Sequence, residues 1–147
     1  MNIIEILQVE HGVLLRILAL IDLYAADHKG ANATLEMCKM VTRLLLSHAT
    51  MEDEILYVAM NSHPGVEMPP AVAQNRADHM EMEKLFRIAV EGGPDSADET
   101  HQATTFTREH IIREEMILFT LARNKLDITE LEQLGRQAEE YLALIRK

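Results

Sequence analysis

The chain has 147 residues, enough for one domain with a sizeable core, and 48% of them are apolar. Its formal net charge of −10 argues against nucleic acid or an anionic membrane as a partner, because both bind clustered Lys and Arg. The apolar residues are mainly Leu, Ile, Ala, Val and nine Met, with no Trp, a composition typical of helical proteins.

Capping and turn residues divide the chain into five predicted helices. Asn2 and Glu5 are spaced as a capping box at the start of the first helix, and Ser96 and Glu99 repeat that spacing at the start of the fourth. Glycines and prolines separate the others. The predicted helices span about residues 2–26, 34–60, 69–90, 96–124 and 128–146.

Four long helices joined by short connections predict an all-α fold. We expect an antiparallel up-down four-helix bundle over about residues 2–124, with a fifth, C-terminal helix (about 128–146) packed alongside. Residues 1–147 are interpreted as a single domain. The lone cysteine, Cys38, favours a reducing compartment, and no signal-like or membrane-spanning apolar run is present, so we expect a cytoplasmic protein.

Four histidines are spaced so that they meet at one level of such a bundle. His11, His48, His79 and His110 follow one another at intervals of 37, 31 and 31 residues. Histidines on consecutive predicted helices lie at similar numbers of residues from the glycine that separates those helices. The differences correspond to at most about 4.5 Å along the helix axis. Each histidine has apolar neighbours at helical spacing, which predicts that it points into the core. Four imidazoles buried in one layer are costly without a metal.

Three of these histidines are followed four residues later by a glutamate. Residues four apart lie above one another on a helix, so each pair presents an imidazole and a carboxylate to the same side. This spacing alone is weakly specific, but spacing, level and apolar facing together predict a metal site. The other histidines, His28, His63 and His101, are predicted to lie on the surface. The predicted metal ligands are His11, His48, Glu52, His79, Glu83, His110 and Glu114.

The pattern resembles the hemerythrin-like, or HHE cation-binding, domains. The resemblance covers about residues 1–125 and consists of a lone His on the first helix, His-x-x-x-Glu on the second, His on the third and His-x-x-x-Glu on the fourth. The residues that carry it are His11, His48 with Glu52, His79, and His110 with Glu114.

This resemblance implies two iron ions in a non-haem di-iron centre, bridged by carboxylates and by an oxo or hydroxo group. It implies that Glu52 and Glu114 bridge the irons. The histidines of the first two helices then complete the coordination of one iron, and those of the third and fourth helices complete the coordination of the other. Zinc or manganese could occupy the same ligands.

The chain departs from the oxygen-carrying hemerythrins on the third helix. Those proteins look like His-x-x-x-His there, whereas this chain has His79 and Glu83. Either Glu83 replaces an imidazole on the second iron, or that position is left to water. An extra carboxylate would favour ferric iron and weaken reversible dioxygen binding.

The surroundings of the predicted site follow from the same helical spacing. Asp53, Asp78 and Glu115 are candidates to orient the imidazoles. An apolar cover would limit the access of water. The residues predicted for this cover are Leu14, Leu44, Met51, Phe106 and Ile117.

We therefore expect a metal-binding protein that binds or senses O₂, NO or peroxide, with that small molecule as its partner. Two alternatives stay open: iron storage, sensing or delivery under iron or nitrosative stress, and a metal-free helical interaction module. No nucleophile–base set, phosphate-binding loop or haem motif is present, so the sequence favours a binding or sensing protein over an enzyme.

Overall fold

The computed structural model describes residues 1–63 and 69–145, without the side chains of His28 and Pro94. These residues are almost entirely helical and contain no strand, which confirms the predicted all-α class. Within them, α-helices alternate with short π-helical and 3-10 segments. The α-helices are α1 (Ile3–Ala25), α2 (Ala31–Met51), α3 (Tyr57–Asn61), α4 (Pro70–Glu91), α5 (Ala97–Arg113), α6 (Phe119–Lys125) and α7 (Ile128–Ile145).

The helices form five continuous rods, close to the predicted ones. A π-helical segment at Glu52–Leu56 joins α2 to α3, and a second at Glu114–Leu118 joins α5 to α6. Residue 146, the predicted end of the last helix, lies outside the described residues. No helix in the described part of the chain is long and apolar enough to cross a lipid bilayer.

Both π-helical segments correct the prediction of unbroken helices. The N–H of the residue after each segment, Tyr57 and Phe119, donates to the carbonyl five residues back. The wider turn rotates the residues that follow it, relative to an unbroken α-helix. Leu118 is consequently buried, whereas Ile117, predicted to cover the metal site, is 50% exposed.

One of the two predicted helix caps is present. The Asn2 side chain accepts from the N–H of Glu5 at 3.1 Å, and the Glu5 carboxylate accepts from the N–H of Asn2 at 2.9 Å. Ser96, predicted to cap the fourth rod, does not bond the α5 N–H groups. Its hydroxyl donates instead to the carbonyls of Ala89 and Gly93, which stabilises the turn before α5.

Four rods enclose the core. α1 contacts α2, α2 contacts α4, α4 contacts α5, and α5 contacts α1, so the contacts close a ring. Leu44, predicted as part of the apolar cover, is 37% exposed because its neighbour Leu45 takes the inward position. The buried apolar side chains form two clusters at different heights in the ring. The first apolar cluster includes Leu7, Leu56 and Val72, and the second includes Leu14, Leu45 and Met82.

The fifth rod, α7, packs against α1 on the outside of the ring. The N–H of Glu130 donates to the Asp127 carboxylate and the N–H of Asp127 to the Glu130 carboxylate, each at 2.8 Å. These reciprocal bonds fix the start of the helix. Its buried side chains, Leu131 and Leu134 among them, extend the first apolar cluster.

Gly135 on α7 lies against the first two residues of the chain, where a Cβ atom would come within 3.1 Å of the Asn2 backbone. We expect Gly135→Ala to lower the free energy of unfolding by about 1–2 kcal/mol, because overpacking outweighs the gain in helix propensity. Gly12→Ala on α1 is the matched control, since a Cβ there meets nothing within 4 Å. It should raise stability by about 0.5–1 kcal/mol. Urea unfolding of the metal-free protein measures both, and the same response from both variants would contradict the close approach.

Candidate metal centre

Six buried side chains form a polar layer between the two apolar clusters. Along each of the four rods, the layer residues lie between members of one cluster and members of the other. The four imidazoles meet in one layer, as the histidine spacing predicts. All six side chains are at most 7% exposed. This His–Glu layer consists of His11, His48, Glu52, His79, His110 and Glu114.

The layer divides into two groups of four residues that share both glutamates. In each group, one nitrogen or oxygen atom from each residue lies within 4.8 Å of the others. Each group therefore offers two imidazoles and two carboxylate oxygens, a donor set that suits a transition-metal cation. His11 and His48 complete the first group, and His79 and His110 complete the second.

Glu52 directs one carboxylate oxygen to each group. Oε1 lies 2.5 Å from Nε2 of His48, and Oε2 lies 2.9 Å from Nε2 of His79. Oε2 also accepts hydrogen bonds from the Tyr57 hydroxyl at 3.2 Å and from the Asn75 amide at 3.1 Å. These two donors, which the sequence analysis did not identify, hold the carboxylate across both groups.

Glu114 spans the groups in the same way. Oε1 lies 3.1 Å from Nε2 of His11, and Oε2 lies 3.0 Å from Nε2 of His110. Phe119 follows this glutamate by five residues, as Tyr57 follows the other, but it has no hydroxyl to donate. Its ring stacks on the imidazole of His11 at 5.4 Å between centroids. The two carboxylates therefore have similar positions and different neighbours.

Several of the close approaches in the layer are not hydrogen bonds. Oε1 of Glu52, both carboxylate oxygens of Glu114 and Nε2 of His110 are buried without a hydrogen-bond partner. Buried polar atoms are nearly always hydrogen-bonded, and metal ligands are a common exception because the ion satisfies them. These four atoms belong to residues of the two groups described above. The residues of each group therefore fit a metal cation.

An acidic side chain lies behind each imidazole, close to Nδ1. Each acid adjoins a layer residue in sequence and contacts the histidine of a neighbouring rod. The carboxylate–Nδ1 distances are 2.7 Å for Glu10 and His48, 3.5 Å for Asp53 and His79, 3.1 Å for Asp78 and His110, and 2.9 Å for Glu115 and His11.

These four contacts run around the ring in one direction. The first rod contacts the histidine of the second, the second that of the third, and so on until the fourth contacts that of the first. Three of the four contacts are hydrogen bonds, and the one with the histidine of the third rod, at 3.5 Å, is not. Asp53, Asp78 and Glu115 are the acids predicted from the sequence. Glu10 was missed, although it precedes His11 as Asp78 precedes its own histidine. An acid at Nδ1 leaves Nε2 free to bind a metal.

The carboxylates also change the pKa of several groups in the metal-free protein. Burial lowers the pKa of His48, but nearby carboxylates, Glu52 first among them, raise it well above its ordinary value. Burial likewise opposes charge on His79, yet Asp53 and Glu52 raise its pKa to about 10. Burial raises the pKa of Glu114, but its contacts with imidazoles hold it well below the ordinary value. The layer therefore favours positive charge beside its carboxylates.

A cavity of about 390 Å³ opens between α2 and α4 and reaches the layer at His79. Leu45 and Met82 of the second apolar cluster line it, and the exposed residues Arg76 and Glu83 lie at its mouth. At 7% exposure, the side chain of His79 is the most accessible of the four imidazoles. The cavity offers a small molecule a route to the layer.

Glu83, one of the seven predicted ligands, lies in neither group of four. The inward face of α4 runs through Asp78, Met82 and Phe86, all of which are buried. His79 therefore lies at the edge of this face, and a residue one turn further on points to solvent. The structure brings the other six predicted ligands together and leaves Glu83 exposed.

The histidines predicted to lie on the surface are outside the layer. His101 is exposed, as predicted. His63 has a side chain that is 32% exposed and lies 2.9 Å from the carboxylate of Glu130, at the start of α7. The side chain of His28 is outside the described part of the structure.

The family comparison agrees with the layer. A family model described as the hemerythrin HHE cation binding domain matches residues 2–122, a range that includes all six layer residues. Searches of curated proteins and of solved structures gave no significant match. The match covers most of the chain, and we conclude that the protein belongs to the hemerythrin HHE cation-binding family.

Proposed function

We propose that the chain holds two iron ions in the His–Glu layer and binds O₂, NO or a peroxide there. One observation carries the proposal: Glu52 and Glu114 each offer one oxygen to each pair of histidines. A carboxylate placed in this way can bridge two cations. Six protein side chains leave coordination positions for a small exogenous ligand.

In this proposal each ion would be held by two imidazoles from one half of the chain and by one oxygen from each glutamate. Mixed imidazole and carboxylate ligation suits iron, and zinc or manganese could occupy the same atoms. A bound iron pair supplies binding and redox chemistry toward O₂, NO or peroxide. The chain itself orients the imidazoles through four acids, holds Glu52 through Tyr57 and Asn75, and keeps water away with two apolar clusters.

The antiparallel up-down order of the four rods belongs to the same proposal. It is supported by the contacts between consecutive rods and by the contact between the fourth and the first. It is also supported by the histidines, which reach one layer from four different rods.

The burial of the layer, whose six side chains are at most 7% exposed, limits which ligands can bind there. The cavity beside His79 has a volume of about 390 Å³ and is lined by Leu45, Met82 and Phe86. Small neutral molecules lose little hydration free energy in such a place, whereas large polar molecules and ions lose much unless a bound cation compensates them. This supports a diatomic molecule or a peroxide as the partner.

The same cavity supports a second candidate, in which the chain stores, senses or delivers iron. Iron in the second group, beside His79, would be accessible to a chelator through the cavity. Release of iron to a chelator within minutes would favour this role. Retention for hours would favour the binding of a small molecule at a permanent centre.

Anaerobic loading with Fe(II), followed by desalting and metal analysis, should give about two irons per chain. His48→Ala and His110→Ala each remove a ligand from one group and should lower the iron content to about one or less. His101→Ala, on the exposed face of α5, is the control and should keep the full iron content.

Glu83→Gln should also keep the full iron content, and a loss of iron in this variant would make Glu83 a ligand. A wild-type chain that takes up no iron would contradict the proposal and favour a metal-free helical module.

Metal binding should release protons at neutral pH. The pKa of His79 is about 10 and that of His48 is well above the ordinary value, so both are protonated at pH 7 without metal. A metal binds only the neutral imidazole, so about two protons per chain should leave, and the affinity should rise as the pH rises from 6 to 9. Calorimetry in buffers of different ionisation enthalpy measures the release. Binding that is independent of pH would contradict the assignment of these imidazoles as ligands.

Asp78→Asn should weaken metal binding about 10- to 100-fold, because the amide no longer supports the charge and orientation of His110. Asp22→Asn is the matched control: this acid is paired with Arg108, at 2.5 Å, and not with an imidazole of the layer. Its metal affinity should stay within a few-fold of the wild type. Competition with a chromophoric chelator measures both, and equal effects would show that the role of Asp78 is structural only.

A further inference from the structure

Thr107 on α5 has a fully buried hydroxyl without a hydrogen-bond partner. The side chain is 0% exposed, and Oγ1 is among the buried polar atoms that nothing in the described part of the chain satisfies. Thr107 precedes Glu114 by seven residues, which brings it to within about 20° of that glutamate around the helix axis. It therefore lies on the face of α5 that carries the His–Glu layer.

Other helical threonines in this chain satisfy their hydroxyl locally. Thr34, Thr42, Thr50 and Thr120 each donate to the carbonyl four residues back, at 2.8–3.0 Å. This bond is the usual one for a threonine inside a helix. Thr107 does not make it, so its hydroxyl is free to act on something else in the interior.

The layer is covered on one side by four side chains, each three residues from a layer histidine. Three of them are apolar and belong to the second apolar cluster, and all four are at most 8% exposed. The fourth supplies a hydroxyl. The covering residues are Leu14, Leu45, Met82 and Thr107.

Packing alone does not require a hydroxyl at this position. The two His-x-x-x-Glu rods correspond residue for residue, and Leu45 precedes Glu52 by seven residues as Thr107 precedes Glu114. Leu45 fills the equivalent place with an apolar side chain. Leu45 also lines the cavity that opens beside His79, so the cavity reaches the covered side of the layer.

We propose that Thr107 binds the exogenous ligand, donating a hydrogen bond from its hydroxyl to a small anion or diatomic molecule held between the layer and its cover. This inference rests on the proposed function, because the ligand is held at the metal pair. It makes Thr107 a determinant of ligand affinity in a cover that is otherwise apolar. The ligand in turn satisfies a buried hydroxyl that the protein leaves unpaired.

Azide titration of the iron-loaded, oxidised protein tests this, with the absorption of the azide complex as the readout and iron content measured first. Thr107→Val, which keeps the shape and removes the hydroxyl, should weaken azide binding about tenfold. Thr107→Ser restores the hydroxyl and should bind azide within about twofold of the wild type. Thr34→Val is the matched control, since that buried hydroxyl donates to the Gly30 carbonyl at 3.0 Å. It should leave azide affinity unchanged.

A second measurement uses the metal-free protein and needs no bound ligand. Thr107→Val should melt at the same temperature as the wild type or higher, because it removes an unsatisfied buried hydroxyl. A clearly lower melting temperature would show that the hydroxyl bonds the protein, and would overturn the inference.

The outcomes separate the two proposals. Equal azide affinity in wild type and Thr107→Val, at full iron content in both, overturns the role of Thr107 and leaves the di-iron proposal standing. A wild-type chain that takes up no iron overturns both.

Discussion

The burial of charge in the middle of an apolar core is the constraint on which the rest of this structure depends. Glu52 and Glu114 lie inside the ring, almost without exposure, and four further acids stand behind the imidazoles. Such a set of negative groups is stable only with compensating positive charge. In the metal-free protein that charge comes from protons, as the raised pKa values of His48 and His79 show. Two cations would supply it more completely, and this is why the geometry of the layer and its electrostatics lead to the same conclusion.

The architecture follows from this requirement. The π-helical segments begin at the two glutamates, so the main chain departs from regular α-helix where a carboxylate has to span both groups. The apolar clusters on either side exclude water, which strengthens every electrostatic interaction within the layer. The ring of acids links each rod to the next through a histidine, and so couples the packing of the rods to the geometry of the site.

Composition and the pattern of caps and turns were sufficient to predict the all-helical fold. The histidine spacing predicted the level of the layer and, with the glutamates four residues on, six side chains that the structure brings together. The π-helical segments could not be predicted, because they depend on the register of main-chain hydrogen bonds and leave no periodic signal in the side chains. Glu83 has the same spacing from its histidine as the two buried glutamates, but the direction of a side chain depends on how its rod is rotated in the ring. Asn75 donates to Glu52 from another rod and Tyr57 donates to it across the π-helical turn, and such contacts are visible only once the rods are assembled.

Each of the two groups of four residues includes a glutamate from the other half of the chain. The first group needs Glu114 as well as the two histidines and the glutamate that precede residue 63, and the second group needs Glu52. Neither group of four residues is therefore complete in a growing chain until most of the chain has been synthesised. In the proposed centre, iron gains its full set of protein ligands only after Glu114 has been translated. The proposed centre would therefore form only in a nearly complete chain. A truncated or stalled chain would hold no iron pair that could react with oxygen.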